Sequence, residues 1–98
     1  MIQQYHKGTF YNTNTSYYIA GSLTNNTIKE LHFTRKLQPF FAIYDEINSK
    51  QYIIPITLKE AIDFFTSKKI HILPAGKSLM EQIVTLIIQQ VQTPGPSQ

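Results

Sequence analysis

Residues 38–69 read QPFFAIYDEINSKQYIIPITLKEAIDFFTSKK, and this stretch decides the fold. Phe40, Ala42 and Tyr44 alternate with Phe41, Ile43 and Asp45, and after a polar turn Tyr52, Ile54 and Ile56 alternate with Ile53 and Pro55. Two runs rich in aromatic and β-branched residues, separated by Asp, Asn and Ser side chains that bond nearby backbone, predict a β-hairpin. Both faces of each strand are apolar, so the strands are expected in the middle of a sheet or covered on both sides. The helix that follows has a readable start. Thr57 and Glu60 have the spacing of a capping box, in which each side chain accepts the other residue's free backbone N–H. Leu58, Ala61, Ile62 and Phe65 then form one apolar stripe, with Lys59, Glu60 and Asp63 facing away, over an expected helix 58–68.

Upstream, residues 15–23 (TSYYIAGSL) alternate as a strand does, and Thr24-Asn25-Asn26 reads as a turn into a partner strand. Gly21 within that strand suggests a bulge or a close backbone approach. Over residues 27–37 a Thr27–Glu30 capping box competes with the alternation of Leu31, Phe33 and Leu37. His32, Phe33 and Thr34 are weak helix formers and a hairpin is the simpler topology, so a strand is expected. Residues 8–11 read as a short edge strand, after a frayed lead-in over 1–7.

Downstream, residues 70–73 (IHIL) have strand character and end at Pro74. A second helix is expected from Ser78, with Glu81 completing another capping box. Leu79, Met80, Ile83, Val84, Leu86, Ile87, Ile88 and Val91 cover most of its circumference, and no charge follows Glu81. A helix so apolar needs cover on more than one side, which predicts a homodimer contact through Leu79, Ile83, Leu86, Ile87 and Val91, joined by an exposed sheet edge. Residues 93–98 (TPGPSQ) have the composition of a disordered tail on one compact domain, 1–92. The expected fold class is α+β, an antiparallel β-meander of about four strands with two C-terminal helices packed on one face and a short extra strand at 70–73.

Composition excludes several chemistries. The 98 residues include no cysteine, which removes disulfides, thiolate catalysis and cysteine metal sites. His6, His32 and His71 show no metal-ligand spacing, and no serine sits in a nucleophile elbow, so neither cofactor, metal nor enzymatic activity is expected. Pro74-Ala75-Gly76-Lys77-Ser78 imitates a phosphate-binding loop, but His71 stands where that loop needs its first glycine. What remains is a candidate anion site at Gly76, Lys77 and Ser78, where a helix N-terminus favours negative charge. Residues 52–65 resemble the first helix of an excisionase-type helix-turn-helix; TSKKIHILPAG then has no helical periodicity where the recognition helix would lie, so that family is set aside.

Only 15% of residues are charged, against roughly 25% in ordinary globular proteins, which makes self-association easier. The net charge of +3 admits an anionic partner. Lys7, Arg35, Lys36, Lys68 and Lys69 are the nucleic-acid candidates, with Tyr5, Tyr11, Tyr17 and Tyr18 as stacking groups and Lys68-Lys69 also placed to complement a helix end. MIQQYHKGTFYN lacks a signal-peptide core and the longest apolar run, 83–88, is too short for a bilayer, which predicts a cytoplasmic protein without a membrane partner. The leading functional expectation is a non-enzymatic homodimeric accessory or regulatory protein that binds another protein, of a size and composition common in proteins encoded by viruses and mobile elements. The alternative is a basic dimeric nucleic-acid-binding protein.

Overall fold

The structure, a computed structural model, describes residues 2–92; the expected tail over 93–98 and the side chain of Val91 lie outside the described part. The fold is α+β. A five-stranded antiparallel sheet has the order β6-β5-β4-β3-β7, formed by β3 (Tyr17–Thr24), β4 (Thr27–Phe33), β5 (Pro39–Asp45), β6 (Lys50–Pro55) and β7 (His71–Ile72). The first four make the expected meander, and β7 adds the short fifth strand beside β3. Helices α1 (Leu58–Phe65) and α2 (Gly76–Gln92) cover one face. Among the described residues no helix is long and apolar enough to cross a membrane.

The N-terminus differs from expectation. Of the lead-in expected to be frayed over 1–7, residues 2–7 are ordered, because β1 (Gln3–His6) pairs with β2 (Thr9–Asn12) in a separate two-stranded ribbon. This ribbon lies on the sheet face opposite the helices, where Ile2 and Tyr11 pack on Phe40, Ala42 and Ile53. The turn between its strands is Lys7-Gly8, with both residues at positive φ (49° and 83°), the backbone of a tight hairpin turn. Its inner face is only a few side chains wide, too short for alternation to register in the sequence.

The sheet thus has two cores. Ile19, Leu31 and Phe33 meet Ala61, Met80 and Ile83 on the helix side, while Phe40 and Ala42 face the ribbon. β5 is covered on both sides, as its composition implied. β6 is not. It forms the sheet edge, and Tyr52 and Ile54 stay partly exposed (39% and 41%) because the eight-residue α1 packs over β4 and β5. That edge is nevertheless occupied at its middle. The Ile53 N–H donates to Gln4 Oε1 (3.1 Å) and Gln4 Nε2 donates to the Ile53 carbonyl (3.4 Å), so a glutamine amide occupies the place of a neighbouring strand. Pro55 further along has no N–H to offer.

The Asn25-Asn26 turn is tight, with φ of 49° and 64°. The Thr57–Glu60 capping box is present in both directions, at 3.1 and 2.9 Å. Two helix boundaries differ from the sequence reading. α1 ends at Phe65, where the Thr66 and Ser67 hydroxyls donate to the carbonyls of Ile62 and Phe64, so Lys68 and Lys69 lie past the helix end. The buried stripe of α1 is centred on Ala61 and takes in Phe64, leaving Ile62 at its margin. α2 starts at Gly76, so Ser78 sits inside the first turn and its hydroxyl accepts from Gln82 Nε2 (3.1 Å) instead of capping.

Candidate functional site

Two polar constellations stand out, and both are built by the sheet. The first begins at the β4–β5 connection. The Leu37 N–H donates to the Thr34 carbonyl (2.8 Å), and the Thr34 N–H donates to the Gln38 carbonyl (2.9 Å). Arg35 and Lys36 are therefore the central residues of a tight turn, and their side chains leave from its tip. Leu37 closes the turn at φ 65°, a conformation unusual for leucine; its side chain packs on the helix-side core and holds it there. Arg35 is itself held. Its Nε donates to the Thr15 carbonyl (2.7 Å), and its guanidinium lies 4.8 Å from the Tyr17 ring centre. Neither terminal nitrogen of Arg35 has a partner among the described residues.

Facing this turn are Gly8, Thr9 and Phe10 of the ribbon, and the two walls enclose a cleft of about 410 Å³. Lys7 adjoins it in the ribbon turn. No acidic residue lines it. The structure thus brings Lys7, Arg35 and Lys36 of the basic candidates to one end of the sheet and leaves Lys68 and Lys69 out. Lys69 lines a separate depression with Gly21, Leu23 and His71, toward the opposite end of β3. Gly76, Lys77 and Ser78 form the first turn of α2 and line neither place; Gly76 is buried against the Ile19 carbonyl, a packing role.

The second constellation was not singled out from the sequence. His32, 2% exposed, lies between the Tyr18 and Phe40 rings (4.8 and 5.2 Å). Its Nε2 is 2.8 Å from Glu30 Oε1 and its Nδ1 is 2.6 Å from Ser16 Oγ, which also reaches the Thr13 carbonyl at 3.1 Å. The order Ser–His–carboxylate is that of a hydrolytic triad. Here, however, both faces of the imidazole are closed by aromatic rings, and neither Ser16 nor His32 lines the basic cleft. What the network does is tie residues 13–16, the link from the ribbon, to the sheet. Its sequence signal was the i, i+2 spacing of Glu30 and His32, which puts both on one face of a strand. Among the described residues no three potential ligands gather to hold a metal.

Tyr18 completes this network by bonding Glu30. Burial, then the Glu30 charge and that hydrogen bond, push its phenol up to about 12. Because the folded value lies above the ordinary one, the neutral phenol's contribution is full below about pH 10 and is lost as pH rises toward 12. A spectrophotometric tyrosine titration is expected to show an ionisation near 12 that is missing in Tyr18→Phe, and the variant's stability should fall less steeply across that window. Identical titrations would disprove the assignment.

The outer surface of the helical layer is apolar in part. Met80 and Ile83 are buried against the chain's own sheet, and Leu79, Val84 and Ile87 pack beside them, while Leu86 and Ile88 stay exposed (47% and 45%). Ile83, expected at a subunit contact, is thus a core residue of its own chain. Comparison with models of protein families, with curated proteins and with solved structures gave no match.

Proposed function

We propose that the chain works without catalysis, as a small homodimeric binding protein that acts by occupying the surface of a partner protein. The observation that carries this reading is the outer surface of α1 and α2. Ile62 is exposed beside a groove of about 290 Å³ between the helices, lined by Phe65, Met80, Glu81 and Val84, and Leu86 and Ile88 are exposed on the two flanks of α2. From Gln82 to Gln92, α2 carries no charge. In a two-fold contact each patch meets its own copy, so a charged patch would repel itself, whereas the stretch of α2 beyond Glu81 brings no ion into the contact. The sheet edge at β6 is left out of this contact, because Gln4 occupies its middle at Ile53.

Light scattering after gel filtration at micromolar concentration tests the pairing. The wild-type chain is expected at twice its 11.3 kDa mass, and Leu86→Lys with Ile88→Lys at that mass with unchanged far-ultraviolet circular dichroism. A wild-type chain that stays monomeric at about ten times that concentration would refute the homodimer.

A further inference from the structure

The geometry points to the basic cleft as a binding site for unpaired nucleotides of a single-stranded nucleic acid, with phosphate held by Arg35 and Lys36 and a base stacked on Phe10. This is independent of the homodimer, since each chain carries a whole cleft.

Charge supplies the first argument. Arg35 and Lys36 both line the cleft, Lys7 adjoins it in sequence at Gly8, and none of the six acidic residues lines it. Preorganisation supplies the second. Arg35 is fixed through Nε and through its face on Tyr17, so its free edge presents two terminal amino groups as a fork, the geometry that matches two phosphate oxygens. Side-chain freedom that phosphate binding would otherwise remove has already been lost in folding. The Thr34 hydroxyl lies in the same wall. It accepts the Gln38 N–H (3.1 Å), which leaves its own proton to donate to an anion.

The third argument is aromatic. Phe10 is 41% exposed in the cleft wall and sits 4.7 Å from Tyr5, which is 74% exposed, as cross-strand partners in the ribbon. The pair staples β1 to β2, yet that role leaves much of both rings in water, next to the cations. Exposed rings beside a positive groove are how single strands are gripped without regard to sequence. Paired bases offer no free face, so the chemistry selects unpaired ones. A volume of about 410 Å³ is within the range of small-molecule sites and suits one nucleotide.

Fluorescence anisotropy of a labelled ten-nucleotide oligothymidylate tests this, with thymidine monophosphate, the matching duplex and inorganic polyphosphate as competitors. Binding is expected at low salt with a log–log salt slope of about −1.4, from two cations at about −0.7 each. Arg35→Ala with Lys36→Ala should weaken binding about tenfold or more and flatten the slope. Phe10→Leu should weaken it about tenfold with the slope kept, and Phe10→Trp should restore it, which separates lost stacking from a damaged ribbon. Lys68→Ala with Lys69→Ala should bind as wild type. Competition by the oligonucleotide and the monophosphate, scaled to length, would support the site. No binding at low salt would overturn it. So would equal competition by polyphosphate with Phe10→Leu unaffected, meaning a bare anion cleft, or equal weakening in the Lys68 and Lys69 pair, meaning attraction by net charge alone.

Discussion

Gly76→Ala is expected to lower stability by about 3 kcal/mol, a fall in melting temperature on the order of 15 °C for a chain of this length. A methyl group at Gly76 would be built into the carbonyl oxygen of Ile19 and would stand 2.9 Å from Ile72 Cγ2. Neither can move aside cheaply. The Ile19 carbonyl accepts the Leu73 N–H (3.1 Å), and Ile72 belongs to β7, which pairs with β3 through Ala20. The whole first turn of α2 must therefore lift from the sheet, taking Met80 and Ile83 with it. Gly21→Ala is the control. Its new methyl comes closer than ordinary contact only to the Tyr18 hydroxyl, at 2.9 Å, so the cost is limited to loosening the bond between Tyr18 and Glu30. Urea unfolding of the two variants should differ by about 2 kcal/mol. Equal losses would show that α2 is not held at this point.

The second large effect belongs to His32. Its replacement by alanine removes a ring packed between Tyr18 and Phe40 and leaves Glu30, whose side chain is only 18% exposed, with the Tyr18 hydroxyl as its remaining partner. A cavity and a half-buried carboxylate short of one hydrogen bond together cost about 3 to 4 kcal/mol. His32→Phe separates the two. It keeps an aromatic ring in the stack and still removes the hydrogen bond to Glu30, so most of that part of the loss should remain. Adding Glu30→Leu should then recover about 2 kcal/mol, a coupling that a double-mutant cycle in urea measures. Strict additivity would mean that Glu30 and His32 stabilise the sheet separately and that the network is a coincidence of neighbours.

These two sites differ in how far the sequence announced them. Gly76 was visible as part of a loop resembling a phosphate cradle, but what it answers to is a carbonyl on a strand 57 residues upstream. His32 stood in a strand of mixed apolar and polar residues, and nothing local marks it as buried. The five predicted basic residues show the same limit. Their charge was evident, but which of them share a surface depended on the turn after β4 and the ribbon turn meeting across the cleft. Phe10 escaped notice because an exposed phenylalanine in a short strand looks, in sequence, the same as a buried one.

What the amino-acid sequence determined by itself is everything governed by neighbours a few positions apart. That includes the alternation of β3 to β6, the Asn25-Asn26 turn, the Thr57–Glu60 cap and the apolar stripe of α1, because backbone periodicity and side-chain reach act over one turn or one hairpin. Tertiary structure alone decided the docking of the ribbon on the second sheet face, the occupation of the β6 edge by Gln4, the burial of His32 and the early start of α2. Each of those depends on groups far apart in the chain whose desolvated polar atoms had to find partners, and such partners are chosen by the packing of the whole sheet.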